Sequence, residues 1–130
     1  MITFKRADHI NISVPPERLE EARKFYTEVL GLEQIERPDK IFGSRGYWFN
    51  IGDIQLHISC EQALPRSTRH TAFEVTDIVA ARKQLEKYGV EITEEPILPG
   101  RDRFAFIDPF GNRMELLEIS PAKSSPKSGF

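Results

Sequence analysis

Apolar and polar residues alternate at the start of this chain, in residues 8–14, where every second side chain is apolar. Alternation with a period of two predicts a strand with one buried face. Pro15 and Pro16 end it, and apolar residues then recur every three to four positions until Gly31, as in an amphipathic helix. The elements predicted for the first half are a strand over 8–14, a helix over 17–30, and strands over 32–36, 47–51 and 54–59, the last two joined by a turn at Gly52-Asp53.

The same succession begins again at His70. Asp77 is a suitable N-cap for the second helix, and Gly89 a suitable C-terminal stop. The elements predicted for this half are strands over 70–75, 90–94, 103–108 and 113–119 and a helix over 77–88. We therefore predict an α+β fold in which two tandem βαβββ modules form a concave mixed β-sheet cup with helices on the outside. The predicted boundaries are 1–60 for the first module, 61–67 for a linker, 68–119 for the second module and 120–130 for a disordered tail.

Composition narrows the functional classes. The 130 residues fit one domain, and 18 Lys and Arg against 20 Asp and Glu give a net charge of −2. This balance provides no broad attraction to nucleic acid or to an anionic membrane. The N-terminal residues lack the apolar core of a signal peptide, and no apolar run is long enough to span a membrane, so we expect a cytoplasmic protein. The single cysteine, Cys60, agrees with a reducing compartment and is expected to be a buried small hydrophobe.

The three histidines and one glutamate occupy equivalent places in the two halves. His9 and His70 open the first strands and lie 61 positions apart, while His57 and Glu115 lie in the last strands, 58 positions apart. Nearly constant offsets indicate an internal duplication. If the two halves pair about a pseudo-twofold axis, three imidazoles and a carboxylate meet, and this is a divalent-metal site by ligand type. The alternative is that each histidine is an ordinary hydrogen-bonded strand residue.

Four segments carry a family resemblance, over about residues 5–119. The chain resembles the vicinal oxygen chelate superfamily, which includes glyoxalase I, bleomycin-resistance and fosfomycin-resistance proteins and extradiol dioxygenases. The segments are His9-Ile10-Asn11-Ile12-Ser13-Val14, Phe25-Tyr26-Thr27-Glu28-Val29-Leu30-Gly31-Leu32, His70-Thr71-Ala72-Phe73-Glu74-Val75 and Asp108-Pro109-Phe110-Gly111-Asn112-Arg113-Met114-Glu115.

The resemblance implies one divalent metal ion (Zn, Ni, Mn or Fe) at His9, His57, His70 and Glu115. His57 departs from bacterial glyoxalase I, which usually has a glutamate at that position. Extradiol dioxygenases and fosfomycin-modifying enzymes use two histidines and one glutamate, so His57 is either an extra ligand or a base beside the ligands. Glu115 and His57 are accordingly the candidate catalytic residues for proton transfer.

The candidate substrate-binding residues are Asn11, Trp48, Gln55, Arg101 and Arg103. Asn11 and Gln55 share the ligand face of their strands, and either Trp48 or its neighbour Phe49 should enter the cavity. Arg101 and Arg103 border a loop that commonly closes over the site in this superfamily, and with Arg45 they could hold an anion. The alternatives are core packing for the aromatic residues and solvated charges for the arginines. Glu118 and the pair Glu94-Glu95 are expected to be solvated surface.

The function expected from the resemblance is a divalent-metal-dependent, glyoxalase-like lyase or isomerase. Its substrate would be a small molecule that chelates the metal through adjacent oxygens. The alternatives are an Fe(II) extradiol-type dioxygenase, and a thiol-transfer or drug-sequestering resistance protein without lyase activity. A homodimer is expected on resemblance alone.

Overall fold

The computed structural model describes residues 1–62 and 65–120. The predicted tail from residue 121 onward and positions 63 and 64 of the predicted linker lie outside the described residues. The chain divides into two compact units, Met1–Leu64 and Pro65–Phe130.

The tandem βαβββ architecture is confirmed, and each unit contains one four-stranded mixed sheet. The elements of the first unit are β1 His9–Val14, a 3-10 turn Pro16–Arg18, α1 Leu19–Lys24, a π-helical turn Phe25–Val29, β2 Glu33–Ile35, β3 Gly46–Ile51 and β4 Ile54–Cys60. Those of the second are β5 His70–Glu74, α2 Ile78–Lys87, β6 Glu91–Glu94, β7 Arg101–Ile107 and β8 Arg113–Ile119.

The two sheets have equivalent strand orders, β1-β4-β3-β2 and β5-β8-β7-β6, and in each the first two strands of the order are parallel. The residue two places after His9 aligns with His57, and the residue two places after His70 aligns with Glu115. The register of the two parallel pairs is therefore the same, as the near-constant sequence offsets predicted.

Alternation along the strands separates an apolar face from a polar one in the first unit. Val14, Phe49, Leu56 and Ile58 are almost completely buried, as are Leu19, Ala22 and Tyr26 of the helical segment. The rings of Tyr26 and Phe49 lie 6.2 Å apart, so the helix packs on this face of the sheet. Cys60 shares the parity of Ile58 but is only half-buried. The other face is left for the polar residues of β1, β3 and β4.

The helix of the second unit begins as predicted and is tied to the sheet. Ala80 N–H donates to the Asp77 carboxylate over 2.9 Å, which makes Asp77 the N-cap. Ile78 N–H donates to Glu118 of β8 over 2.9 Å. The expectation that Glu118 is merely solvated is wrong, because β8 turns this carboxylate toward the unpaired N–H groups of α2. Arg82 lies over the ring of Phe104, 4.7 Å from its centre, and pairs with Glu94.

Gly46 is required by the close approach of β3 to its neighbour. A Cβ atom at this position would lie 2.3 Å from the Ile58 carbonyl oxygen and 3.1 Å from Arg37 Nε. At Gly43, in the preceding loop, an added Cβ would meet no described atom within 4 Å.

We expect Gly46→Ala to lower the free energy of unfolding by about 2 kcal/mol or more, because backbone atoms must move to accept the methyl group. Gly43→Ala is the matched control and should change it by less than about 0.5 kcal/mol. Urea denaturation of the two variants measures the difference. Equal stabilities would show that β3 and β4 do not approach this closely.

Candidate metal centre

Three aromatic rings lie side by side on the polar face of the first sheet. The His57 ring is stacked between the ring of His9, with centroids 4.1 Å apart, and the indole of Trp48, 4.0 Å away. Adjacent strands β1, β4 and β3 supply them, since Trp48 is the cross-strand partner of His57. Phe49 is buried on the opposite face, so of the two neighbouring aromatic residues Trp48 is the one on the ligand side. We call His9, His57 and Trp48 the aromatic stack.

Hydrogen bonds fix which imidazole nitrogens carry a lone pair. His9 Nδ1–H donates to Asp8 Oδ2 over 3.0 Å, which leaves Nε2 of His9 as the basic nitrogen. His57 Nε2–H donates to Gln55 Oε1 over 2.9 Å, which leaves Nδ1 of His57 instead. The two histidines of this unit thus differ in the nitrogen that can bind a cation or accept a proton.

The remaining polar residues of this face form a connected floor beside the stack. Asn11 donates to the Ser59 hydroxyl over 2.9 Å, and Ser13 lies 3.4 Å from the same oxygen. Asn11 and Gln55 therefore lie on the ligand face, as parity predicted. At the Trp48 end of the stack, Phe42 packs edge-on against the indole, and the Arg37 guanidinium lies over the Phe42 ring.

The environment of His57 disfavours its charged form. Burial is the larger cause and the neighbouring His9 the next, and together they lower the pKa of His57 despite the opposing effect of Asp8. His57 is consequently a neutral imidazole at pH 7.

The second unit places Glu115 in the middle of its sheet, with only 5% of the residue exposed. Its cross-strand partners are Ala72 on β5 and Ala105 on β7. These small side chains leave space above the strands, and His70 and Arg103, two residues earlier on those strands, reach the carboxylate diagonally.

The Nε2 atom of His70 faces the Glu115 carboxylate. The Nδ1–H of His70 donates to the Thr68 carbonyl over 2.8 Å, so the neutral ring has its lone pair on Nε2. That nitrogen lies 3.4 Å from Glu115 Oε1, which is also an acceptor. Two acceptors face each other, and only a proton or a cation between them satisfies both. Ligand atoms about 2.1 Å from one ion at a tetrahedral angle are separated by roughly 3.4 Å, so the pair fits a divalent metal.

Arg103, Glu95 and Arg113 continue from Glu115 as a line of alternating charges, which we call the charge network. Arg103 Nη1 lies 3.4 Å from both Glu115 oxygens and 3.5 Å from Glu95, and Arg113 pairs with Glu95 over 2.6 Å. The side chain of Glu95 is only 15% exposed, so the expectation that it is solvated surface is wrong. Arg113 shares the parity of Glu115 and could have been found from the sequence. Glu95 follows the end of β6, where no periodicity predicts its direction.

The four predicted ligands are thus distributed as two pairs, His9 with His57 and His70 with Glu115. Nowhere in residues 1–62 and 65–120 do three His, Cys, Asp or Glu side chains form a group arranged to hold a metal. His9 and His57 are stacked 16° from parallel, so their in-plane lone pairs cannot converge on one ion in these rotamers. The donor types, imidazole nitrogen and carboxylate oxygen, are those of divalent-metal sites.

Arg101 lies apart from the charge network, on the exposed start of β7. It lines a cavity of about 330 Å³ between α2 and the loop that follows β6, and Arg103 lines the same cavity. The two candidate arginines therefore have different surroundings, since Arg103 is held by Glu95 and Glu115.

A comparison with protein families matches residues 6–116 to the Glyoxalase/Bleomycin resistance protein/Dioxygenase superfamily. The chain belongs to this superfamily. Membership confirms the resemblance predicted from the four segments.

Individual relatives show how broad this superfamily is. The crystal structure of a Bacillus anthracis protein described as a glyoxalase family member is similar to this chain with a TM-score of 0.82. The two sequences are 36% identical, and the match covers 92% of this chain and all of the other. Glyoxylase I 4 of Arabidopsis thaliana is 27% identical over 92% of this chain and 75% of its own length. Metallothiol transferase FosB of Staphylococcus epidermidis is 28% identical over 87% and 83%. In the part of the chain that the structure describes, no helix has the length and apolarity needed to span a membrane.

We expect the His57 imidazole, followed by NMR, to titrate below the ordinary histidine value of about 6.5. Because the folded pKa is lowered, the contribution of His57 to stability is present above that ordinary value and is lost as the pH falls through the folded pKa. His9→Gln should raise the midpoint only partly, because burial is the larger cause.

Arg18→Gln, which removes a charge paired with Glu21 in the helical segment, is the control and should leave this titration unchanged. A His57 midpoint at or above 6.5 in the parent protein would contradict the buried environment.

Proposed function

We propose that this chain is a divalent-metal-dependent enzyme of glyoxalase type, a lyase or isomerase acting on a small substrate with adjacent oxygens. His9, His70 and Glu115 are its metal ligands. The observation that carries the proposal is the meeting of two acceptors, His70 Nε2 and Glu115 Oε1, 3.4 Å apart. Superfamily membership and the metallothiol transferase among the relatives support it.

His9 supports the same assignment from the other unit. A carboxylate that accepts from the Nδ1–H of an imidazole orients the ring and raises the basicity of Nε2, as is usual for metal-bound histidines. Asp8 has this position relative to His9, and the hydrogen bond from His9 is the main cause that lowers the pKa of Asp8.

His57 is assigned to proton transfer. Its ring is neutral, its Nδ1 carries the lone pair, and Gln55 and the two stacked rings hold its plane. Glu115, the other candidate base, is engaged by Arg103 and His70. A general base with these properties removes a proton from a carbon next to a substrate carbonyl. Acting as a fourth ligand would require His57 to leave the stack.

A bound divalent ion would supply electrostatic stabilisation to negative charge that develops on the adjacent substrate oxygens. Asn11, Gln55 and Trp48 of the first unit would offer a substrate hydrogen bonds and one aromatic surface, and Arg101 and Arg103 of the second would offer positive charge to an anionic substituent. Ligand type alone does not select among Zn, Ni, Mn and Fe, so elemental analysis of the purified protein identifies the metal. We further propose a cytoplasmic homodimer, in line with the single cysteine and the family resemblance.

A second candidate is favoured by the orientation of His57. With this ring in the stack, the ligand set is two histidines and one glutamate, the set that the resemblance associates with fosfomycin-modifying enzymes and Fe(II) extradiol dioxygenases. The 28% identity to FosB points the same way, toward thiol transfer. A resistance protein that only sequesters its drug needs no metal ligands, so the ligand set argues against that alternative.

We expect His9→Ala, His70→Ala and Glu115→Ala each to weaken Mn²⁺ or Zn²⁺ binding at least about 100-fold, because each removes a ligand. His57→Ala should weaken it less than about tenfold. Calorimetry measures the affinities, and Trp48, the only tryptophan, reports by fluorescence whether the stack moves.

Glu74→Ala is the matched control, because Glu74 is an exposed carboxylate on the same face of β5 as His70. It should bind the ion normally. Equal losses for His57→Ala and His70→Ala would make His57 a full ligand, and unaltered binding in Glu115→Ala would remove the proposed centre.

Turnover separates the candidate functions. We expect the metal-loaded protein to convert a hemithioacetal of methylglyoxal, and His57→Gln to lower kcat by about 100-fold or more because general-base catalysis is lost. Thiol addition to fosfomycin and oxygen uptake with catechols are assayed in parallel. Activity only in one of these would replace the glyoxalase assignment by the corresponding alternative, and drug binding unchanged by metal removal would indicate sequestration.

A further inference from the structure

The guanidinium of Arg103 lies close to Glu115 but makes no short hydrogen bond to it. Nη1 lies 3.4 Å from each carboxylate oxygen, whereas charge-assisted hydrogen bonds between arginine and carboxylate are about 2.7–2.9 Å long. The side chains of Arg103 and Glu115 are only 14% and 7% exposed, so competition from water does not explain the 3.4 Å distance between them. Other contacts of the guanidinium must therefore prevent a closer approach to Glu115.

Two groups of the segment after β6, the Pro96 carbonyl and the Glu95 carboxylate, compete with Glu115 for this guanidinium. The Pro96 carbonyl accepts from both Nε and Nη2 of Arg103, over 3.2 and 2.9 Å. The carboxylate of Glu95 lies 3.5 Å from Nη1, the nitrogen that also faces Glu115. Glu95 is itself fixed by Arg113 over 2.6 Å, a tight contact between two side chains that are 15% and 18% exposed. Arg103 is thus held at all three nitrogens.

We propose that Glu95 is a positioning residue, which acts through Arg103 to keep Glu115 open. In this arrangement Arg103 offsets the charge of a buried carboxylate, which would otherwise be unpaired in the sheet. Because Glu95 and Pro96 hold Arg103 at a distance, the Glu115 oxygens keep lone pairs for a cation. The role of Arg103 toward a metal rests on the proposed function, whereas its restraint by Glu95 does not.

The proposal predicts what happens when Glu95 loses its charge. Arg103 then has one carboxylate left within reach, and Glu115 becomes the stronger partner. A guanidinium that closes on Glu115 in the bidentate manner occupies the oxygens that a metal needs. Loss of a negative charge at Glu95 would therefore weaken cation binding at Glu115 without touching a ligand.

Glu94 supplies a matched control. It is the adjacent residue and carries the same charge, but it pairs with Arg82 of α2 and its side chain is 71% exposed. Glu94→Gln and Glu95→Gln remove the same charge from consecutive positions, so a general electrostatic effect or a disturbed loop would affect both variants.

The first measurement needs no metal. Crystal structures of metal-free Glu95→Gln and Glu94→Gln are compared for the separation of Arg103 Nη1 and the Glu115 oxygens. We expect it to shorten to about 2.9 Å in Glu95→Gln and to remain at 3.4 Å in Glu94→Gln. An unchanged separation in Glu95→Gln overturns the proposal.

The second measurement is the Mn²⁺ affinity of a double-mutant cycle. Glu95→Gln should weaken binding about fivefold or more, and Glu94→Gln less than twofold. Once Arg103 is replaced by Met, adding Glu95→Gln should change the affinity less than twofold, because its intermediary is gone. A loss that persists in the Arg103→Met background overturns the proposal. If Glu95→Gln does not fold, Glu95→Asp, which keeps the charge but retracts it, is expected to shift both readouts in the same direction by a smaller amount.

The two proposals fail in different ways. If the parent protein binds no divalent ion, the proposed function fails, and the metal-free structures still decide whether Glu95 restrains Arg103. If the parent binds Mn²⁺ and the cycle shows no coupling, the metal centre stands and the positioning role of Glu95 is rejected.

Discussion

A carboxylate in the middle of a sheet requires compensation, and the second unit is arranged around that requirement. Glu115 is nearly inaccessible, and an unpaired buried charge costs several kcal/mol. His70 and Arg103 approach it from the neighbouring strands, where the alanines at positions 72 and 105 leave them space. Glu95 and Arg113 then balance Arg103 in turn. A single ionised side chain thus accounts for four polar groups on one face of the sheet.

The first unit uses the same framework with different chemistry. Its parallel strand pair has the same register, yet His57 lies where the second unit has Glu115, and the result is a column of stacked rings rather than a line of charges. Neutral rings pack face to face without the need for counter-charges, and burial keeps His57 neutral. The repeated backbone therefore carries two different sets of polar side chains, stacked rings in the first unit and paired charges in the second.

Some features follow from the chain locally and were predictable. Alternation in 8–14 and 70–75, the Asp77 cap and the repeated order of elements all depend on neighbouring residues, and the structure has them within one or two residues. Parity also assigned Asn11 and Gln55 to the ligand face, because strand geometry alternates side chains without reference to the rest of the fold. Parity could not choose between Trp48 and Phe49, and the buried position of Phe49 decided it.

The sequence by itself determined the tandem βαβββ fold, the family and the faces on which His9, His57, His70 and Glu115 lie, because these depend on periodicity and on short motifs. Only the tertiary structure decided which nitrogens of those histidines carry lone pairs, that His57 lies flat between two rings, and that Glu95 turns inward to Arg103. The nitrogens are selected by near neighbours, since Asp8, Gln55 and Thr68 lie one or two residues from the histidines that donate to them, but only the structure shows that these groups meet. The stack depends on residues of three strands, and the direction of Glu95 depends on the path of the loop after β6. No local pattern encodes them, since the direction of an irregular segment is set by the partners that it finds.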